Sequence, residues 1–346
     1  MDEKMKKVVV HGTKNHEIVM ADKPVPKEGE VLIRIEGCGI CAGDRSMYMG
    51  TAPWGEIEND MVLGHEYVGI VEVLGSRTGH LGLSVGDRCI AEIQIPCGKC
   101  YYCTHGLRHL CTDESGFLEG GWAQYMILRK NAIIHKVPLS IPKMNAVLIE
   151  PLSCSAHGVS RANISMKDVV VISGMGAIGL GMIQFAKLHT PYKLIGLDVN
   201  DEMLETAKEF GAEYVFNPAK QDVEEEIKKL TDGLGADIYI EASGNGRSLD
   251  MGLKVLRKRG RLVVYGVYPK PVQVDFNYVS EYKELEIVGG HLSPDTYDYV
   301  IKCLAQGLIH PEKMITDVYT LDQFEEAVYA KERNKHSIKT VLLPEC

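Results

Sequence analysis

No stretch of this chain is apolar for long enough to span a membrane, and no run of lysine and arginine is dense enough to track a nucleic acid. Internal repeats and low-complexity segments are also missing, which leaves ordinary globular domains. The amino-terminal run from Met1 to Lys7 is charged and lacks the apolar stretch of a secretory signal, so the cytoplasm is the expected compartment. Acids outnumber bases to give a net charge of −9. That charge is spread in mixed-sign runs, such as Glu224-Glu225-Glu226 ahead of Lys228-Lys229, the pattern of solvated helix faces. With 346 residues, 45% hydrophobic and 25% charged, the chain is long enough for two domains of common size.

What the sequence does have is cysteine in one place. Four of its 10 cysteines fall in the run from Pro96 to Cys111, as Cys97, Cys100, Cys103 and Cys111, and four thiolates at that spacing can close tetrahedrally on one zinc ion. The alternative is a pair of disulfides. Short spacing works against it geometrically and a reducing cytoplasm works against it chemically. His105 and His109 are read as surface residues of this lobe, because Cys111 already completes the four.

Two patterns divide the chain. Up to about residue 150, short β-patterned segments such as Val31–Ile35 and Gly69–Leu74 lie between turn residues, which predicts a rolled or barrel-like β domain. From about Lys167 strands and helices alternate: Val169–Ile172 precedes a helix to Leu188, Lys193–Leu197 precedes Glu202–Phe210, Asp237–Ile240 precedes Leu249–Leu256, and Arg261–Tyr265 follows. Such alternation builds a parallel sheet covered on both faces. A later helix, Tyr297–Gln306, and a final strand, Thr340–Leu343, have no place in that sheet and are assigned back to the first domain. The expected domains are 1–153 with 291–346, and 154–290.

Gly174-Met-Gly176-Ala177-Ile178-Gly179 follows one of these strands and opens a helix. Two glycines let the backbone turn and approach a pyrophosphate, the third packs helix on sheet, and the helix amino terminus faces the anion. Asp198 ends the next strand, where its carboxylate can accept from both ribose hydroxyls and would repel a 2′-phosphate, which favours NAD over NADP. Ser243, Gly266 and Val267 lie at the carboxyl ends of later strands, where the rest of the dinucleotide is expected. A second set of metal-ligand types lies outside the four-cysteine lobe. Cys41, His65, Glu66 and Glu150 offer a thiolate, an imidazole and two carboxylates, enough for a catalytic zinc with an open position. Spacing alone does not separate that reading from a core histidine and buried cysteines at 38 and 41.

The run from Gly64 to Gly75, Gly-His-Glu-Tyr-Val-Gly-Ile-Val-Glu-Val-Leu-Gly, resembles the signature of the zinc-containing medium-chain alcohol and polyol dehydrogenases, and their Gly86-Asp87-Arg88 turn follows it. The resemblance runs through the four-cysteine lobe, the Gly120–Tyr125 segment, Glu150-Pro151-Leu152 and the dinucleotide half, in the family's order. It implies a GroES-like β-barrel catalytic domain joined to a Rossmann domain, with one structural and one catalytic zinc per chain. It also implies that Cys41, His65 and Glu66 or Glu150 hold the catalytic ion directly or through its water. Glu150-Pro151-Leu152 is similar to the sorbitol and threonine dehydrogenase branch, and the segments 39–44, 52–55 and 289–292 are most similar to erythritol/threitol dehydrogenases.

The implied activity is NAD-linked, reversible oxidation of a secondary alcohol of a small polyol to the ketose, in a homotetramer. L-Threonine, a cyclitol or a sugar-alcohol phosphate are alternative substrates, and a zinc- and NAD-binding regulatory relative without turnover is the non-enzyme alternative. Two positions depart from the family. Gly43 stands where most members carry the hydroxyl that takes the alcohol proton away, so Ser46, a zinc-bound water near Glu150 or the cofactor ribose would have to substitute. Leu292 stands where sorbitol-type enzymes have a pocket arginine, so substrate contacts are expected from Tyr48, Trp54, Glu119 and His291.

Overall fold

The computed structural model describes residues 4–57, 59–113 and 116–344. It divides the chain into two compact units, Met1–Glu150 with Ser293–Gly307 and Pro311–Cys346, and Pro151–Leu292 with Leu308–His310. The divisions at 150/151 and 292/293 fall within three residues of the expected ones. Leu308–His310 departs from expectation by packing with the second unit. The physical reason is local: the His310 backbone N–H is satisfied by Gln184 Oε1 at 2.7 Å, and a polar backbone group near a core needs such a partner.

In the first unit the main sheet runs in the order Ile315–Thr320, Lys339–Leu343, Val31–Gly39, Glu66–Leu74, Arg88–Ala91, Ile134–Lys136, with Tyr125–Leu128 also paired to Val31–Gly39. The pairings are antiparallel except that of Ile315–Thr320 with Lys339–Leu343. Val31, Ile33, Ile35, Val71, Cys89 and Trp122 fill the core that this curled sheet encloses. The Val31–Gly39 strand carries no strict alternation, because its residues face neighbours on both sides. At the register point that matters for the site, Gly39 lies opposite Glu66.

A charged network ties the four-cysteine lobe into this unit. Arg108 donates to Glu92 at 3.3 Å and to Asp295 at 2.6 Å. His135 bonds Glu92 at 3.2 Å and Asp298 at 2.7 Å, and stacks on Tyr297. Burial opposes the charge on His135, but Glu92 and Asp298 outweigh it and raise the imidazole above its ordinary pKa. A raised folded-state value means that the contribution is fully present below the ordinary pKa of about 6.5 and is lost as pH rises through the raised one. Thermal unfolding of the wild type against His135→Asn should therefore show a gap that narrows from acid to alkaline pH. A constant gap would assign the effect to packing on Tyr297.

The second unit holds a six-stranded sheet in the order Tyr214–Phe216, Lys193–Leu197, Val169–Ser173, Ala236–Glu241, Leu256–Val264, Glu286–Gly289. Every pairing in it is parallel. In chain order this is the doubly wound arrangement with its reversal beside Val169–Ser173, the position at which such sheets open a ligand crevice. Val169–Ser173 is buried throughout, which is why it reads as an unbroken apolar run. The expected α/β class is thus the one adopted. One boundary differs: the helix before the fifth strand begins at Gly246, capped by Asn245, whose side chain accepts from the Arg247 N–H, and the strand already starts at Leu256. Within that strand Arg257 and Arg261 form ion pairs with Asp237 and Glu286. Among the described residues no helix is long and apolar enough to cross a membrane.

Candidate active site and metal centres

The four lobe cysteines come together with their sulfurs within 4.8 Å of one another. Cys97 and Cys103 are 4.0 Å apart and Cys100 and Cys111 3.9 Å apart. Zinc–sulfur bonds of about 2.3 Å imply a tetrahedron edge of about 3.8 Å, whereas a disulfide would need about 2.05 Å. Backbone N–H groups of Cys97, Cys100, Cys103 and Asp113 point at sulfurs of the set. Those of Cys103 and Thr112 bring Cys100 down to about 6. Burial pushes Cys103 up to about 12. Four crowded thiols do not all ionise unaided, and a divalent cation is what would let them. His105 is exposed and stacks on Tyr101, and His109 is half-buried. Neither belongs to the four-sulfur group.

Cys41, His65 and Glu66 form the second group, again with ligand atoms within 4.8 Å of one another. Three local features put them there. Cys41 is the amino-terminal cap of the short helix Ala42–Tyr48, and its sulfur accepts from the Gly43 N–H at 3.4 Å. Glu66 opens the strand Glu66–Leu74 and His65 immediately precedes it, just after Gly64, whose φ of 98° favours glycine. A Cβ on Gly64 would also strike Trp122 and the Cys38 sulfur.

Burial raises the Cys41 thiol, an effect that a bound cation reverses by stabilising the thiolate. His65 Nδ1 lies 3.1 Å from Asp44 Oδ1 and 3.1 Å from Glu119 Oε1. Burial opposes its charge, but those two carboxylates and Cys41 hold the imidazole well above its usual value. Glu119 is itself pushed up to about 7 by burial and by the charge of Asp44. A metal-ligand histidine whose other nitrogen meets a carboxylate is oriented and made more basic. The donor set therefore suits zinc: soft thiolate, imidazole and carboxylate, with partners behind the imidazole.

The remaining expected site residues are placed as follows. Glu150 is buried but belongs to no such group of three among the described residues. Ser46 Oγ donates to the Gly43 carbonyl at 2.7 Å. Trp54 is 55% exposed. Its ring lies 3.6 Å from where a Cβ on Gly43 would stand, and that point is also 3.6 Å from the Cys41 sulfur. One expected substrate contact, Tyr48, is corrected, and Glu119 has a further partner. Tyr48 is in the core, bonded to His16 at 3.0 Å and edge-on to Phe324, so its hydroxyl is already engaged. Glu119 faces His65, with its carboxylate behind the imidazole. His291 is exposed and belongs to the second unit. Asp44, inside the segment 39–44, and Lys339, one residue before the expected last strand, carry no sequence signal for their places beside His65 and Glu66.

In the second unit, a Cβ on Gly179 would lie 1.7 Å from the Gly174 carbonyl oxygen, so only glycine lets the helix Ala177–Leu188 pack there. Gly176, by contrast, faces open space, as a turn approached by a pyrophosphate must. The Ile178 carbonyl is held by Ser155 Oγ at 2.9 Å. Asp198 accepts from the Met175 N–H at 2.7 Å and the Asn200 N–H at 2.8 Å, which fixes its carboxylate beside the glycine turn. Buried Glu241 accepts from the Ser243 and Gly244 N–H groups at 2.9 and 3.2 Å and from Tyr268 at 2.6 Å. It thereby knits the Ser243 loop to the Gly266-Val267 loop, where a Cβ on Gly244 would meet the Val267 carbonyl.

Two family models match the chain. Residues 27–139 match the alcohol dehydrogenase GroES-like domain and residues 177–306 the zinc-binding dehydrogenase domain. An erythritol/L-threitol dehydrogenase of Mycolicibacterium smegmatis is 40% identical, with 99% of this chain and 98% of the relative covered. The chain belongs to the zinc-binding dehydrogenase family. This dehydrogenase is also 37% identical to an L-threonine 3-dehydrogenase of Pyrococcus horikoshii, covering 94% of this chain and 95% of that one. Its fold superposes with a TM-score of 0.88, at 27% identity and 99% coverage of both chains, on an alcohol dehydrogenase (rspB) from Escherichia coli CFT073 solved in complex with NADH. It is a zinc-dependent alcohol or polyol dehydrogenase, an oxidoreductase built on a nicotinamide-binding Rossmann unit.

Proposed function

We propose that this dehydrogenase oxidises a secondary hydroxyl of a small polyol of the erythritol or threitol class to the ketose, with NAD as hydride acceptor. The observation that carries the substrate class is the 40% identity, over nearly the whole of both chains, to an erythritol/L-threitol dehydrogenase. Cys41, His65 and a carboxylate from Glu66 or Glu150 would hold the catalytic zinc. Bound there, zinc supplies a Lewis acid that makes loss of the hydroxyl proton feasible near neutral pH. Asp44 and Glu119 fix the His65 ring. The carbon hydride goes to the nicotinamide and the hydroxyl proton to water, so that one alcohol and one NAD give one ketone, one NADH and one proton. Asp198 receives the ribose hydroxyls and the Gly174–Gly179 turn the pyrophosphate. Thiolate ligands need reduced cysteines, which supports a cytoplasmic setting.

Following the absorbance of reduced nicotinamide across a panel of polyols and L-threonine tests this reading. Turnover is expected with four-carbon polyols and with NAD over NADP. Activity confined to L-threonine would replace the substrate assignment.

The route of the proton is addressed by Ser46. Its hydroxyl already donates to Gly43, in the pattern of a helical serine bonding back along its own turn. Ser46→Ala should accordingly leave turnover nearly unchanged. A loss of about 10²-fold or more with zinc content intact would instead make Ser46 the relay.

A further inference from the structure

We propose that Tyr268 is a positioning residue for the nicotinamide half of the cofactor, acting through buried Glu241 to pin the arc Gly266–Tyr268 beside the Ser243 loop. This inference deepens the NAD reading above and rests on it. Glu241 closes the strand Ala236–Glu241 and is 0% exposed. Its backbone carbonyl accepts from the Tyr265 and Gly266 N–H groups, both at 2.9 Å. Two residues past Gly266 the Tyr268 hydroxyl donates to Glu241 Oε2 at 2.6 Å. The chain thus leaves Glu241 at Gly266 and returns to it at Tyr268, with exposed Val267 between the two anchors.

The same carboxylate holds the Ser243 loop. Oε1 accepts from the Ser243 N–H at 2.9 Å and from the Ser243 hydroxyl, and Oε2 accepts from the Gly244 N–H at 3.2 Å. The fit leaves no slack: a Cβ on Gly266 would strike both Glu241 Oε2 and the Gly244 nitrogen, so only glycine lets arc and loop close on the carboxylate. A Cβ on Gly174 would likewise meet the Ser243 backbone, which shows that the Ser243 loop also packs on the dinucleotide turn. That loop is therefore held from two sides, and what Tyr268 adds is the far anchor of the arc. A buried carboxylate must be met by donors, and loss of the Tyr268 hydroxyl removes the one that the arc supplies from its far end. The arc then keeps its anchor at Gly266, and a bound nicotinamide has to order the rest, a cost that a preorganised loop avoids. Asp198 and the Gly174–Gly179 turn, which receive the adenosine and pyrophosphate in this reading, belong to other segments.

The test compares Tyr268→Phe with the wild type, both zinc-loaded, by titration with NADH and with ADP-ribose, which is the cofactor without its nicotinamide. Phenylalanine keeps the ring, which packs against the core of this unit, and removes only the hydroxyl. NADH should bind about 10-fold more weakly, the scale of one hydrogen bond to a charged group, while ADP-ribose binding stays unchanged. The route is read in a Glu241→Gln background, where the further change Tyr268→Phe should weaken NADH less than it does in the wild type because the charged acceptor has gone. Gly266→Ala, which forces arc and loop apart while keeping both polar groups, should reproduce the split between NADH and ADP-ribose and covers the case in which Tyr268→Phe does not fold. Equal weakening of the two ligands, unchanged NADH binding, or an undiminished tyrosine effect in the Glu241→Gln background would overturn the proposal while leaving the NAD reading standing. A wild-type protein that binds neither NADH nor ADP-ribose would overturn the NAD reading itself, and the proposal with it.

Discussion

Cys41→Ser is expected to leave the lobe zinc in place, to remove the other ion, and to lower turnover by about 10³-fold. A hydroxyl is a far poorer zinc ligand than a thiolate, and the group it fails to hold contributes several kcal/mol of charge stabilisation, with each 1.36 kcal/mol worth about tenfold. The fold should survive. Cys41 caps a helix of only 7 residues through one 3.4 Å contact, and serine is itself a good amino-terminal cap. Cys103→Ser should do the reverse, because the lobe's own secondary structure, among the described residues, is a four-residue helix and a three-residue turn, and the Arg108 network holds only its far end. Zinc in closed four-thiolate sites contributes folding energy outright. Elemental analysis beside kcat and a melting curve separates the two variants. Retention of both zincs in Cys41→Ser would show that Cys41 is not a ligand, and a collapsed melting curve would show that its role is structural.

These two metal sets differ in how far the residues announced them. Four cysteines in fifteen residues can meet through local turns alone, so their pattern is readable in one short run, and the glycine turn after Val169–Ser173 is equally local. The parallel sheet covered on both faces was legible too, since buried parallel strands leave unbroken apolar runs. Cys41, His65 and Glu66 are brought together by adjacent strands, and only the resemblance to a family separated them from core residues. Side-chain direction was not legible at all. Tyr48 was expected to face substrate, yet a period-3.6 turn after Cys41 carries it back into the core against His16 and Phe324. Glu119 sits 54 positions from His65 and Lys339 273 from Glu66. Such pairs arise from contacts between segments distant in the chain, and no local pattern encodes them. A lysine at the head of an apolar strand reads as a solvated end, and burial against a carboxylate reverses that meaning.

Asp198→Ser is the variant with the other large expected effect, and the structure changes what should be measured. An aspartate that only read the ribose could be replaced at the expense of cofactor preference alone. Asp198 also holds the Met175 and Asn200 N–H groups. Met175 belongs to the glycine turn proposed to receive the pyrophosphate, so loss of the carboxylate loosens that turn as well. Serine keeps one acceptor and removes the charge. Hydrogen bonds to a charged group are worth about 1.5–3 kcal/mol, so NAD affinity should fall by roughly 10- to 100-fold. NADP should lose less, because the repulsion of its 2′-phosphate disappears together with the turn's support. Dissociation constants for NADH and NADPH, read by the nicotinamide fluorescence of each, give the two effects separately. The loss common to both reports the Met175 turn, and the excess loss for NADH reports the ribose. Equal losses with both cofactors would mean that Asp198 supports the turn and does not discriminate the ribose. No loss with either would remove it from the dinucleotide site.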